Sequence, residues 1–143
     1  MTGLHHTTLR DLKLKVTPKR MAILDTLASE PRYMSPEEVW ERLKGRFARI
    51  GLPTVYRNLD DLFSGGVISK VILPDRQLYY FYCPNKDHHH HFVCLFCRRV
   101  EDVRFCGLRE IEREVKRMKG TVFSHILQIN GLCRSCTTSR QTR

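Results

Sequence analysis

A chain of 143 residues has room for one ordinary domain or two small ones with modest cores, and two small ones need help to be stable. Six cysteines and seven histidines, most of them between Cys83 and Cys136, supply the ligand types of structural metal sites. No stretch has the apolar length to cross a bilayer, and the N-terminus does not read as a secretory signal, so the expectation is a cytoplasmic protein with no membrane partner. In that reducing compartment the cysteines are assigned to metal rather than to disulfides. A formal charge of +10 calls for an anionic partner, most commonly nucleic acid, but basic residues outnumber acidic ones in both halves. Charge alone therefore does not say which half would touch it.

Thr17 followed by Pro18 starts a helix, with an N-cap hydroxyl and a proline at the first helical position, and Ile23, Leu24 and Leu27 follow at helical spacing. Ser35, Pro36 and Glu38 repeat the device with the spacing of a capping box, and Val39, Trp40, Leu43 and Phe47 form the buried stripe of the next helix. Gly51 and Pro53 open a third. On it Val55, Leu59, Leu62 and Phe63 share one face, leaving Thr54, Arg57 and Asp61 opposite, with Tyr56 and Asn58 on the flanks. Such a polar face suits a major groove. Gly65 and Gly66 stop the helix, and two β-rich runs, 67–73 and 78–82, flank Pro74, Asp75, Arg76 and Gln77 as a hairpin. Three short helices and a hairpin describe a winged helix-turn-helix over residues 1–82. A small protein-binding helical unit with a solvated polar face has the same periodicity, and the pattern alone leaves both open.

After a hinge over 83–87, the second half carries metal chemistry. Cys94 with Cys97, and Cys133 with Cys136, are two CxxC knuckles that together supply the four thiolates of a closed tetrahedral zinc (Zn2+) site. The 35 residues between them exceed a simple zinc ribbon, so the knuckles are expected to staple the two ends of a whole domain. A redox dithiol would come singly and on a parallel βαβ pattern. His88, His89, His90 and His91 run directly into Phe92, Val93 and Cys94, and so belong to a strand. Alternation along it sends His88 and His90 to one face and His89 and His91 to the other, making two half-sites. Cys83 and Asp102 are candidate partners for His89 and His91; His125, with Glu110 or Glu101, is the candidate partner for His88 and His90. Leu108, Ile111, Val115 and Met118 form a helical stripe closed by Gly120, and 122–129 reads as a β-like run. Cys106 reads as a small buried hydrophobe. The fold class is α+β: the winged helix, then a small α/β dimerisation and metal-binding domain over 88–136, then a disordered tail over 137–143.

Over about residues 15–136 the sequence resembles the Fur family of bacterial metalloregulators. The carrying motifs are Thr17-Pro18-Lys19-Arg20, the run from Pro53 through Tyr56, Arg57, Asn58 and Leu59, the four histidines leading into Cys94, and the second knuckle after Asn130-Gly131-Leu132. The resemblance implies a homodimer that binds A/T-rich inverted repeats in double-stranded DNA when metal is present, and no enzymatic activity. It places the residues matching Tyr56 and Arg57 against bases and phosphates, and Arg20 near DNA; Thr54 and Asn58 join them by position. Iron- and peroxide-sensing members, which use ferrous iron (Fe2+) or manganese (Mn2+), place a histidine where this chain has Tyr33, and a carboxylate where it has Tyr82 or Cys83. Thiolate and imidazole favour zinc, and the spacing from Cys83 to the histidines looks like the zinc uptake regulators (Zur) of the family. The expected regulatory set is Cys83, His89, His91 and Asp102, and a second set is His88, His90, Glu110 and His125. Two other classes compete: a zinc hydrolase, which the absence of an HExxH-type motif disfavours, and a zinc storage or delivery protein, which leaves the polar helix face unexplained.

Overall fold

The computed structural model describes residues 2–85 and 87–141, and the chain falls into two compact units, Met1–Asn85 and Lys86–Arg143. In the first unit the helices α1 (Thr2–Asp11), α2 (Pro18–Ala28), α3 (Pro36–Leu43) and α4 (Leu52–Ser64) precede a hairpin of β1 (Ser69–Ile72) and β2 (Leu78–Phe81). The Thr17 hydroxyl accepts the Arg20 amide at the start of α2, 3.2 Å away. Ser35 and Glu38 form the reciprocal capping box of α3, at 2.9 and 3.2 Å. The helix α3 ends at Leu43, a turn before Phe47, which packs on the core from the loop beyond it. There the Trp40 indole donates to the Ile50 carbonyl at 2.9 Å and ties α3 to the start of α4. Past α4, Gly66 has φ +71°, a conformation that side chains disfavour, and this lets the Val67 amide turn back to the Leu62 carbonyl at 2.9 Å.

The helix α1 goes beyond the sequence reading, which starts its first helix at Thr17. It has no acidic residue in its first turn and only a weak apolar stripe; packing supports it instead. Leu9 is fully buried in the core of Ile23, Leu24, Leu27, Val55, Leu59 and Leu62, and Leu14 packs beside Gly65 at the end of α4. In the hairpin, Ser69 pairs with Phe81 and Ile72 with Leu78. Tyr80 is fully buried and exchanges backbone hydrogen bonds of 2.8 and 2.9 Å with Met34, which makes a third, minimal strand beside the hairpin. Its hydroxyl donates to Asp60 on α4 at 2.9 Å, fastening wing to helix.

The second unit is a three-stranded sheet of order β4-β3-β5, with β3 (His90–Cys94) central, β4 (Val100–Val103) antiparallel to it and β5 (Gln128–Gly131) parallel. The crossover from β4 to β5 contains α5 (Leu108–Arg117), and α6 (Arg134–Gln141) closes the described chain. Two expectations change here. The 122–129 run forms strand only from Gln128 onward, because Phe123 and Ile126 lie almost wholly in solvent, with no neighbouring strand to pair with. Residues 137–141 of the expected tail belong to α6, which begins inside the second knuckle: the Thr137 amide donates to the Cys133 carbonyl at 2.9 Å. Residues 142–143 lie outside the described residues.

This unit has little core. Val93, Cys94, Val100 and Cys133 are buried, whereas α5 buries none of its residues, and the Ile111 and Met118 of its stripe are exposed. Close approach of β5 to β3 depends on Gly131, where a Cβ would meet the Phe92 ring at 2.9 Å. Phe92 is half-buried and can yield a little, so Gly131→Ala is expected to cost about 1 kcal/mol, read as a lower denaturant midpoint for this unit alone.

Candidate DNA-reading face and metal centres

The polar side of α4 divides into a held part and a free part. Arg20, reaching over from α2, is only 8% exposed. Its guanidinium donates to the Asn58 side-chain oxygen at 3.1 Å, to the Lys15 carbonyl at 2.9 Å, and to the Asp61 carboxylate in an ion pair. Asn58 also donates to the Thr54 carbonyl at 2.8 Å, so both ends of its amide are engaged within the unit. Arg20 and Asn58, two of the residues expected at DNA, thus sit as a clamp that fixes how α4 lies on α2. Arg57 is exposed, and Thr54 and Tyr56 are half-buried. The Tyr56 hydroxyl donates to Glu37 at 2.8 Å, which aims the ring along the same surface and holds the phenol pKa above its usual value.

Four cysteines converge in the second unit: the sulfurs of Cys94, Cys97, Cys133 and Cys136 all lie within 4.8 Å of one another. The first knuckle closes the β3-β4 turn, where Arg98 takes φ 61° and its amide donates to the Cys94 carbonyl at 2.8 Å. The second begins α6. Burial opposes ionisation of Cys94, but backbone groups of Cys133, Cys97 and Phe96 outweigh it and bring its thiol down to about 6. Burial and the neighbouring sulfurs push Cys136 up to about 12. Crowded thiols cannot all ionise next to one another, but four thiolates around a divalent cation can, which is the donor chemistry of a closed zinc site.

Only His90 and His91 of the four histidines lie in β3, and His88 and His89 precede it in an irregular approach, yet clusters form on both sides of this run. On one, the Nε2 atoms of His89 and His91 are 2.9 Å apart, and Asp102, across the ladder from His91, places a carboxylate oxygen 3.7 and 3.9 Å from them. Burial and the neighbouring His89 keep the His91 pKa low, so its ring stays neutral with a lone pair available. On the other face His88, His90, Cys106 and His125 have donor atoms within 4.8 Å of one another. Two expectations are corrected there. Glu110, on the first turn of α5, is exposed and faces Arg113 at 3.9 Å instead of joining the histidines. Cys106, expected to be a buried hydrophobe, is only half-buried and its sulfur is 3.5 Å from the His125 Nε2. The loop before α5 turns inward and the helix does not, a path that residue spacing along the chain does not show. Cys83 lies in the first unit just beyond β2, half-buried, its thiol 3.7 Å from the Asn85 carbonyl. Tyr33, in the position where a histidine was expected of iron and peroxide sensors, is buried against Phe81 with ring centroids 5.4 Å apart. Burial and Cys83 push its phenol up to about 12.

The sequence model of the ferric uptake regulator family matches residues 11–130. The peroxide operon regulator of Bacillus subtilis is 28% identical over 131 residues, which cover 91% of this chain and 89% of that protein. Among solved structures, the ferric uptake regulator of Francisella tularensis with iron is 28% identical, with a TM-score of 0.69 over 87% of this chain and 95% of that one. A zinc uptake regulator complexed with zinc and DNA is 21% identical, with a TM-score of 0.76 over 98% of this chain and 95% of that one, a likeness of fold.

Proposed function

Because the chain belongs to the ferric uptake regulator family, and so is a metal-responsive transcriptional regulator and not an enzyme, we propose that it represses transcription as a homodimer on A/T-rich palindromic DNA operators, that it senses zinc, and that zinc-uptake genes are its targets. The observation that carries the zinc reading is the donor set. His89, His91 and Asp102 come together on one face of β3, and to them we add Cys83, six residues before His89. One thiolate with two imidazoles suits zinc better than ferrous iron or manganese, and Tyr33 stays protonated, offering no hard anionic donor. When bound, zinc supplies a divalent charge that favours a tetrahedral set of such ligands, at the four cysteines as a permanent staple and at Cys83, His89, His91 and Asp102 as the regulatory site.

The chain's own residues do the reading. Arg57 offers its guanidinium to phosphates or to a guanine edge, and Thr54 and Tyr56 reach the same groove, while Arg20, Asn58 and Asp61 hold α4 in place. The hairpin, fastened to α4 through Tyr80 and Asp60, is the wing. The exposed Phe105, Ile111, Met118, Phe123 and Ile126 of the second unit support pairing of two copies, which presents two reading helices to a palindrome. Ligands drawn from either side of the hinge link metal occupancy to how those helices are presented, and linkage makes the effect reciprocal: operator tightens metal as metal tightens operator.

Fluorescence anisotropy tests this, on a duplex the protein selects from a random pool, with buffered zinc compared against anaerobic ferrous iron and manganese. Binding switched on by low free zinc alone is expected, and Cys83→Ser is expected to remove the response while leaving the dimer folded. Activation by iron or manganese would overturn the zinc assignment, and an unchanged zinc response in Cys83→Ser would remove Cys83 from the site. Failure to bind any duplex would return the chain to a storage or delivery role.

A further inference from the structure

Beside the reading helix α4 stands one exposed carboxylate that the fold does not need. Resting on the reading that Tyr56 meets DNA, we propose that Glu37, at the start of α3, is a positioning residue for operator selectivity. It takes up the Tyr56 hydroxyl, fixes that ring on α4 and keeps its donor from DNA phosphates.

The first turn of α3 carries two carboxylates with different tasks. Glu38 closes the capping box on the Ser35 amide at 2.9 Å with one oxygen and takes the Arg32 guanidinium at 3.1 Å with the other, so it is engaged locally. Glu37 instead accepts the Tyr56 hydroxyl from the next helix, at 2.8 Å. Burial opposes its ionisation, but its own backbone amide, Tyr56 and Ser35 outweigh this and hold its pKa below the usual carboxylate value. The bond to Glu37, and after it burial, raises the Tyr56 phenol. At neutral pH the phenol is therefore the donor and an ionised carboxylate the acceptor, which makes the bond a charge-assisted one. Neither group is part of the core, and α3 has its cap and its buried stripe without Glu37.

Both ends of this bond stand on fixed supports. Arg20 clamps α4 through Asn58 and Asp61, and the Trp40 indole ties α3 to the Ile50 carbonyl just before α4 begins. A carboxylate so placed holds the Tyr56 ring in one orientation. The gain is one of discrimination. A tyrosine hydroxyl free to rotate donates to any phosphate oxygen, which adds affinity on every sequence alike. With the hydroxyl occupied, the ring contributes through the fit of its faces and edge to the base edges beneath it, and that fit differs between sequences. Arg57, the next residue and exposed, remains free to supply the charge that Tyr56 does not.

Anisotropy on the full chain tests this, in the metal that switches DNA binding on, by comparing the selected duplex with a shuffled duplex of equal length. Glu37→Ala is expected to lower the ratio of the two affinities about tenfold, the scale of one charge-assisted hydrogen bond, with the shuffled duplex bound at least as tightly as by wild type. Glu37→Gln keeps an acceptor for the hydroxyl and should recover most of the ratio. In a Tyr56→Phe chain, which has no hydroxyl to place, Glu37→Gln and Glu37→Ala should give equal ratios. Two readouts separate positioning from folding: Tm in Glu37→Ala should stay close to wild type, and the Tyr56 phenol, followed by the NMR signals of carbon-13-labelled tyrosine, should ionise at lower pH than in wild type. A phenol that ionises at the same pH in both, or an equal loss of ratio in Glu37→Gln and Glu37→Ala, would overturn the proposal. A ratio lost in Tyr56→Ala but kept in Glu37→Ala would overturn the role of Glu37 alone. A ratio that Tyr56→Ala also leaves intact would fail the reading of Tyr56 at DNA, and the role of Glu37 with it.

Discussion

Cys133→Ser is expected to unfold the second unit while the first remains native. Cys133 is buried at the junction of β5 and α6, and its backbone helps to hold the Cys94 thiolate. The remaining hydrophobic core of this unit is a few side chains around Val93 and Val100, too small an apolar area to offset the chain entropy of some fifty ordered residues. Binding of a structural zinc contributes about 10 kcal/mol or more of apparent free energy in small metal-folded domains. Loss of one thiolate therefore removes more stability than the unit has. Amide hydrogen exchange reads this directly: the Cys94 and Leu95 amides, bonded to Arg99 and Gly131 at 3.0 and 2.8 Å, should exchange at unfolded rates in Cys133→Ser. The Val67 amide of the first unit should stay protected. A strong chelator added to the wild-type chain should reproduce the pattern. Persistent protection of Leu95 in the variant would show that the apolar contacts suffice and that the four cysteines are not a folding element.

Arg20→Ala is the second large effect, and it separates two roles that the sequence alone does not distinguish. As a clamp, Arg20 contributes hydrogen bonds to Asn58, Lys15 and Asp61, and its removal should lower the stability of the first unit by about 2–3 kcal/mol, because Asp61 is half exposed and water can take up part of the loss. Lysine should not rescue it, having no planar fork to reach three acceptors. As a clamp it is also expected to leave the salt dependence of DNA binding unchanged. Arg57→Ala should do the reverse: stability within about 0.5 kcal/mol of wild type, but a salt slope smaller by about 0.9, because one fewer phosphate is neutralised and its counterion stays on the DNA. A slope reduced in Arg20→Ala as in Arg57→Ala, at unchanged stability, would make Arg20 a phosphate-binding residue.

The elements that could be read directly are those whose signal is local. Thr17-Pro18 and Ser35 with Glu38 announce helix starts because a cap needs only the residues within one turn, and the hairpin follows from its own turn residues. The CxxC pairs are legible for the same reason: two sulfurs three residues apart already share a turn. Alternation was enough to divide the four histidines between two sides, although only His90 and His91 lie in β3.

What escaped depends on contacts distant in sequence. Nothing in residues 2–11 marks α1, which exists because Leu9 finds the core formed by α2 and α4. The 122–129 run has β-like residues but pairs only from Gln128, since a strand needs a neighbour and β3 has one free edge to offer there. Arg20 looks like any exposed arginine until α2 is laid on α4 and Asn58 and Asp61 close around it. Cys106 and Glu110 are four residues apart, and only the path of the loop into α5 decides that the thiol turns toward His125 and the carboxylate toward solvent. The sequence by itself determined where α2, α3 and α4 begin, the pairing of the cysteine knuckles, and the family. Tertiary structure alone decided that Arg20 is engaged by Asn58, Lys15 and Asp61 while Arg57 is exposed, and that Cys106 and not Glu110 lies beside His125, because both depend on side chains that the fold, and not the chain, makes neighbours.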